Sequence, residues 1–301
     1  MKKKELLKLL DDVEILYRDT LGFSEDITFG LEIEYINLHY IEALKLIKKK
    51  YNKWGYQKDE TVFNSGFGGE VVSPILCDTR EAWVELRDIL VDLKDNFANI
   101  DDSTAAHIHV GSTIFNEDIN KYLYFLKMWT VFEKEVYQFS YGEFDHMRDK
   151  YKLFSSFIRP NMVRNYYGIK KVLEESNGVF IDDLHDIISF LGKFRNLGVN
   201  LRNVKEVDNL DKNTIEFRTF NGTLDKRIWQ NNVNFVLNFL EYFNGDYDKE
   251  LIDYYFKKCS ELPPNLGCYK LDKGILLGNL IFKDDIDYLY YLKQYTKGMK
   301  K

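Results

Sequence analysis

Apolar and polar positions alternate most strictly between Phe29 and Leu38, where the chain reads FGLEIEYINL. Successive side chains of a strand point to opposite faces. Leu31, Ile33 and Tyr35 therefore share one face, and Glu32 and Glu34 the other, ~7 Å apart. The same design returns twice. In Ala105–Thr113, AAHIHVGST, His107 and His109 alternate with Ile108 and Val110; in Thr214–Phe220, TIEFRTF, Glu216 and Arg218 alternate with Ile215 and Phe217. A shorter strand, Glu70–Ser73, follows the glycines Gly66, Gly68 and Gly69 and is stopped by Pro74. Arg195–Val204 is strand-like, Asp208–Asn213 is a turn, and Asn221-Gly222 is a turn signal.

Elsewhere the apolar period is helical. Helices are expected over Lys4–Asp19, Tyr40–Tyr51, Asp78–Phe97 (capped by Asp78 or Thr79), Asn116–Gln138 (capped by Asn116), Ile181–Phe194, Asp225–Phe243, Lys249–Lys258 and Asp284–Tyr295, with Pro263-Pro264 as an interruption. Tyr141–Tyr167 has no clean period. Its aromatics are mixed with Arg148, Lys150, Lys152, Arg159 and Arg164, so it reads as an ordered, irregular segment with short helices, either a packed surface loop or a cover for an anionic ligand.

Composition narrows the class. The chain has 301 residues, 45% apolar and 16% aromatic, enough for a large core. With no internal repeat or linker, 1–301 reads as a single catalytic domain, its motifs in 28–224, with the N-terminal helix 4–19 and a helical portion 225–297 packed on them. The net charge of −6 comes without a long basic tract, which argues against nucleic acid. No run of 18 apolar residues suggests a membrane span. The N-terminus alternates charge with leucine and lacks a signal-peptide core. Cys77, Cys259 and Cys268 are odd in number and form no C-x-x-C, so neither a disulfide framework nor a zinc knuckle is expected, and a cytoplasmic location fits. The oligomeric state is open.

Each polar pair has an ordinary reading: two acids on a solvated strand face, or two packed histidines. Taken together, the strands place carboxylates, imidazoles and a guanidinium on their polar faces, with few of the Lys, Gln or Thr residues of a generic wet face. Several carboxylates on one sheet repel unless cations intervene. Removing Glu34 or Glu216 would then relieve repulsion in a metal-free protein. Oxygen-rich donor sets suit Mg²⁺ or Mn²⁺ better than Zn²⁺. An arginine beside them suits a transferring phosphoryl group. No P-loop motif is present.

FGLEIEY, GGEVVSP, HIHVG and NTIEFRTFNGTL, in this order, resemble the amidoligase family of the carboxylate–amine ligase superfamily, which includes glutamine synthetase and glutamate–cysteine ligase. The resemblance spans Thr28–Leu224. It implies an α+β fold with a curved antiparallel sheet, the active site on its concave face and helices on the other, as in glutamine synthetase and the guanidine kinases. It implies ATP and Mg²⁺ or Mn²⁺ as cofactors, and an amide formed through an acyl phosphate from a small-molecule, peptide or protein carboxylate and an amine. By position, Glu32 would share a metal with His107 and Glu216, and Glu34 with Glu70. His109 would lie near the ATP phosphates. Arg218 would stabilise the transferring phosphoryl group, with Glu216 and Glu34 also catalytic. Arg195 and Asn200 would meet nucleotide or substrate. Only Glu70 supplies an evident acid between the E-x-E and H-x-H strands, which leaves the metal count open. A guanidino phosphotransferase on the same sheet, a non-catalytic binding protein and a metal-dependent hydrolase are the alternatives.

Overall fold

Six strands form one open antiparallel sheet in the computed structural model, which describes residues 3–148, 151–176, 178–192, 196–204, 213–262 and 270–299. They are β1 (Phe29–His39), β2 (Gly55–Gln57), β3 (Phe67–Val72), β4 (Ala105–Gly111), β5 (Val199–Asn200) and β6 (Thr214–Asn221). The order is β2-β3-β1-β4-β6-β5, so the E-x-E strand lies inside the sheet with the acid strand and the histidine strand on either side. Where the chain reads Arg195–Val204 as strand-like, the two residues of β5 pair with β6 and Leu197 makes an isolated parallel bridge with Ser156.

The alternation carries through. Leu31, Ile33, Tyr35, Ile108, Val110, Ile215 and Phe217 are buried on one face. Helix α3 (Arg80–Asp95) packs there by stacking Trp83 on Phe29, and α4 (Ile119–Phe139) by Trp129 against Phe217. A bulge in β6 keeps the pattern in step. Ala106 pairs with Phe220 but Ile108 with Phe217, so Arg218 and Thr219 together oppose His107. Phe217 and Phe220 thus both reach the helices, Phe220 meeting Phe139 of α4. The long α4 is buried nearly all round, as a helix must be when it has the sheet on one side and helices on the others. Those neighbours include α6 (Arg159–Glu174), α7 (Phe180–Leu191), α9 (Lys249–Ser260), α10 (Leu271–Ile281) and α11 (Asp285–Tyr295). The aromatic excess fills this two-layered helical side.

Several boundaries differ from the periodicity. Helix α1 covers only Lys3–Asp11. Beyond it, tertiary bonds outbid the helical ladder: Tyr17 Oη donates to the Trp83 carbonyl, Arg18 N to Gln230 Oε1 and the Arg18 guanidinium to Asp287. The cap of α3 is Thr79, because the Asp78 carboxylate is engaged with the backbone of residues 21–23. Helix α2 (Tyr40–Lys50) follows β1 directly, capped by His39. Asn116 ends a 3₁₀ turn in the left-handed region, and Asp118 caps α4. Asn221-Gly222 makes no hairpin; Gly222 N bonds the Thr104 carbonyl as the chain runs on to α8 (Lys226–Glu241). Helix α10 went unread because Gly274 and Gly278 depress helix propensity. They are there for space: a Cβ at Gly274 would lie 2.0 Å from the Tyr295 ring and one at Gly278 2.5 Å from Tyr288. Pro263-Pro264, Cys268 and most of Asp208–Asn213 lie outside the described residues; Cys77 and Cys259 are free.

The aperiodic stretch Tyr141–Tyr167 holds the short α5 (Tyr151–Phe154) and the start of α6, whose first turn carries Pro160, a start signal. No side chain of its own caps α6. Glu133 of α4 does so, accepting from Ile158 N (2.6 Å) and Arg159 N (3.1 Å). Burial pushes the Glu133 carboxyl up to about 8, against the pull of those two N–H groups. The unfolded chain ionises this group near 4.5, whereas the folded chain keeps its proton to about 8. Its contribution to stability is therefore full below the unfolded value and lost as pH rises through about 8. Glu133→Gln leaves one of the two N–H groups unpaired and should cost roughly 1–3 kcal/mol at mildly acid pH. Because the amide does not titrate, its deficit against wild type should narrow in thermal melts carried from about pH 6 to about pH 9. A constant gap would mean that Glu133 is ionised throughout.

Among the described residues no helix is long and apolar enough to cross a membrane.

Candidate active site

Residues directly opposite in an antiparallel pair share a face. The register sets Glu34 of β1 against Glu70 of β3, Glu32 against His107 of β4, His109 against Glu216 of β6, and Glu216 against Asn200 of β5. Five strands thus lay one polar row across the face away from the helical core. Most of the row is buried: Glu34, Glu70, His107, Asn200 and Glu216 are each 6% exposed or less, while Glu32 and His109 are half-buried.

Glu32 is its hinge. His107 Nδ1 lies 2.7 Å from Glu32 Oε2, and His109 Nε2 2.9 Å from Oε1. Burial opposes the charge on Glu32, but these bonds outweigh it and hold its carboxyl well below the usual carboxylate range. Glu34 Oε2 accepts from Ala105 N at 2.7 Å, and burial raises this carboxyl. Burial, then the charges of Glu32, Glu34 and Asp59, push Glu70 up to about 9. At the far end Glu216 accepts from the Arg218 guanidinium and from Asn200 Nδ2 (2.7 Å). Burial works against its charge, yet Arg218 and the two imidazoles lower its carboxyl. Glu216 is therefore an ion-paired acid rather than a crowded one, and relief of repulsion is to be sought at Glu70.

Three sets of ligating atoms lie within 4.8 Å of one another: Glu32, Glu70 and His107; Glu32, His109 and Glu216; Glu34, Asp59 and Glu70. Glu32 and Glu70 each belong to two sets. The expected partners meet, but they are divided differently: Glu216 groups with His109 rather than His107, so His109 sits among the acids. The donor set is oxygen-rich with single imidazoles, and His107 Nε2, buried without a hydrogen-bond partner, points at Glu34 Oε1 from 3.7 Å. These residues fit Mg²⁺ or Mn²⁺.

Sequence reasoning missed Asp59 and named Arg148 only as one cation of a segment read as a packed loop or a cover for an anionic ligand. Asp59 follows β2 in a turn, where it accepts from Thr61 N; only its acidity before the glycine-rich stretch could have marked it. Arg148 lies in the aperiodic segment and donates to the Arg218 carbonyl at 3.0 Å. From that segment Phe154 also accepts from Arg218 Nε at 3.1 Å. Two described residues of the segment, Arg148 and Phe154, thus bond Arg218 at that end of the row, while Lys150 lies outside the described residues. Arg195 lies outside the described residues. Beside Glu32 and His109 opens a cleft of about 350 Å³, walled by Gly30, Ser73, Pro74, Ile75, Gly111 and Thr214. The clefts flanking Glu14 and Arg227 share no residue with the row.

The fold and site define an α+β protein with a carboxylate-rich, cation-compatible centre on an open antiparallel sheet. A family model described as "Putative amidoligase enzyme" matches residues 52–240, more than half of the chain. The chain belongs to this amidoligase family, and a ligase-type enzyme is what the membership implies. Neither a curated protein nor a solved structure matches it. The matched stretch contains Asp59, Glu70, His107, His109, Asn200, Glu216 and Arg218 but begins after β1; Glu32 and Glu34 join the site through their register.

Proposed function

We propose that this protein is an ATP-dependent carboxylate–amine ligase on a glutamine-synthetase-like sheet. The observation that carries the reading is the convergence of Glu32, Glu34, Asp59, Glu70, His107, His109 and Glu216 into three overlapping sets of ligating atoms. Those sets would hold Mg²⁺ or Mn²⁺, which when bound draw negative charge from phosphoryl oxygens.

The chain's own groups supply the rest. A carboxylate oxygen of one substrate attacks the γ-phosphorus of ATP and ADP departs. The amine nitrogen of the second then attacks the acyl carbon, phosphate leaves, and the proton given up by the amine ends on the departing phosphate. Arg218 neutralises charge on the phosphoryl group as it transfers. Glu216 fixes that guanidinium, and Asn200 fixes Glu216. The cleft beside His109 has room for part of the nucleotide. The buried face excludes water, which would otherwise hydrolyse the acyl phosphate.

The test is turnover with Mg-ATP and a panel of acid–amine pairs, small molecules and peptides included. ADP and phosphate should appear only when both substrates are present, and ¹⁸O from a labelled carboxylate should enter the phosphate. A stable phospho-compound without amide would favour the guanidino phosphotransferase. Absence of metal-dependent ATP binding would sink both.

A further inference from the structure

Arg148 is a charged side chain only 3% exposed. Its backbone N–H donates to Asn221 Oδ1 at 3.1 Å and one terminal guanidinium nitrogen to the Arg218 carbonyl at 3.0 Å, so the residue is pinned to β6 at two points. Its Nε is buried and has no hydrogen-bond partner. A guanidinium does not shed its charge to ease this, since it stays protonated in proteins. Glu34 and Asp59 act on it as opposite charges, but Arg218 acts as a like charge. Arg218 in turn is committed to Glu216 and the Phe154 carbonyl. The Arg148 guanidinium is thus held at the Arg218 backbone, within electrostatic reach of the Arg218 side chain, and keeps an unspent N–H. An anion between the two guanidinium groups would satisfy the N–H and separate the like charges.

We infer that Arg148 and Arg218 form an oxyanion subsite at the β6 end of the acidic row, in which the Arg148 Nε–H bonds the ligand directly. For the ligand's identity this rests on the ligase reading, which offers two oxyanions there: the phosphoryl group and the substrate carboxylate.

The experiment is a titration of ¹⁵N-arginine-labelled wild-type protein with inorganic phosphate and, separately, acetate, with Mg²⁺ present. The Arg148 Nε–H resonance, assigned through its own backbone, should move with at least one anion. Phosphate alone points to the phosphoryl group, acetate alone to the carboxylate, and either supports the subsite. In calorimetry, Arg148→Lys, which keeps the charge but loses the fork, should bind the responding anion roughly tenfold more weakly; Arg148→Gln serves if the lysine variant does not fold. An immobile Nε–H with both anions, or unchanged anion affinity in a folded variant, overturns the proposal. Ligase turnover with an immobile Nε–H would remove the subsite and leave the ligase standing. A mobile Nε–H without turnover on any substrate pair would do the reverse.

Discussion

Glu70→Gln should abolish metal-dependent nucleotide turnover and yet melt at a higher temperature than wild type in EDTA. Glu70 is shared by two of the three ligand sets, so its loss weakens both together. Removing a partner that merely orients a metal ligand costs on the order of 10–100-fold, and removing a ligand common to two sets should cost at least that. The stability change has the opposite sign for the same reason. Without cations, burial and then the charges of Glu32, Glu34 and Asp59 hold the Glu70 carboxyl up at about 9, against the opposing charge of Arg218. At neutral pH wild type must therefore take up a proton on Glu70 to fold, a cost that a neutral amide of the same shape escapes, and the gain should be roughly 2–4 °C. Titrating Mn²⁺ into both proteins should reverse the order, because only wild type gains full binding energy. A variant that melts well below wild type in EDTA would make Glu70 a structural residue and weaken the cation site.

The largest loss of stability is expected at Asp78. This buried carboxylate collects the N–H groups of Leu21, Gly22 and Phe23 at 2.7–2.9 Å and the indole N–H of Trp83 at 2.7 Å. It ties the stretch entering β1 to the helix beneath the sheet. Gly22, with φ +92, makes the turn that lets these backbone groups face one carboxylate. Asp78→Asn replaces one accepting oxygen with a donor and leaves buried N–H groups facing it. Each such bond to a charged group is worth ~1.5–3 kcal/mol, so the variant should lose roughly 3 kcal/mol or more. Thermal melts would show this as a drop of about 5 °C or more. Limited proteolysis should then cut ahead of Phe29 before the rest of the chain. An unchanged melt would mean that other contacts hold the strap.

How much of this was readable depends on the range of the interaction. Periodicity named β1, β4 and β6 and placed their carboxylates, imidazoles and guanidinium opposite the apolar residues, because a strand's facing is fixed by neighbours two positions away. It also found most helices. It overran α1, because Tyr17 and Arg18, beyond that helix, are bonded to Trp83, Gln230 and Asp287, all far along the chain. It passed over α10, whose glycines make sense only against Tyr288 and Tyr295. It left α6 inside an irregular segment, since the cap of that helix is a glutamate on another helix.

The site divides along the same line. By itself the sequence determined which side chains share a face within each strand, and so that acids, imidazoles and an arginine are available for cation and phosphoryl chemistry. Only the tertiary structure decided which of them meet. The antiparallel register sets Glu32 between two imidazoles and Glu216 beside His109, and loop closure brings in Asp59 and Arg148 from segments without any period. Pairing between strands and the path of a loop are settled by packing over long separations in the chain, and no local pattern of residues encodes them.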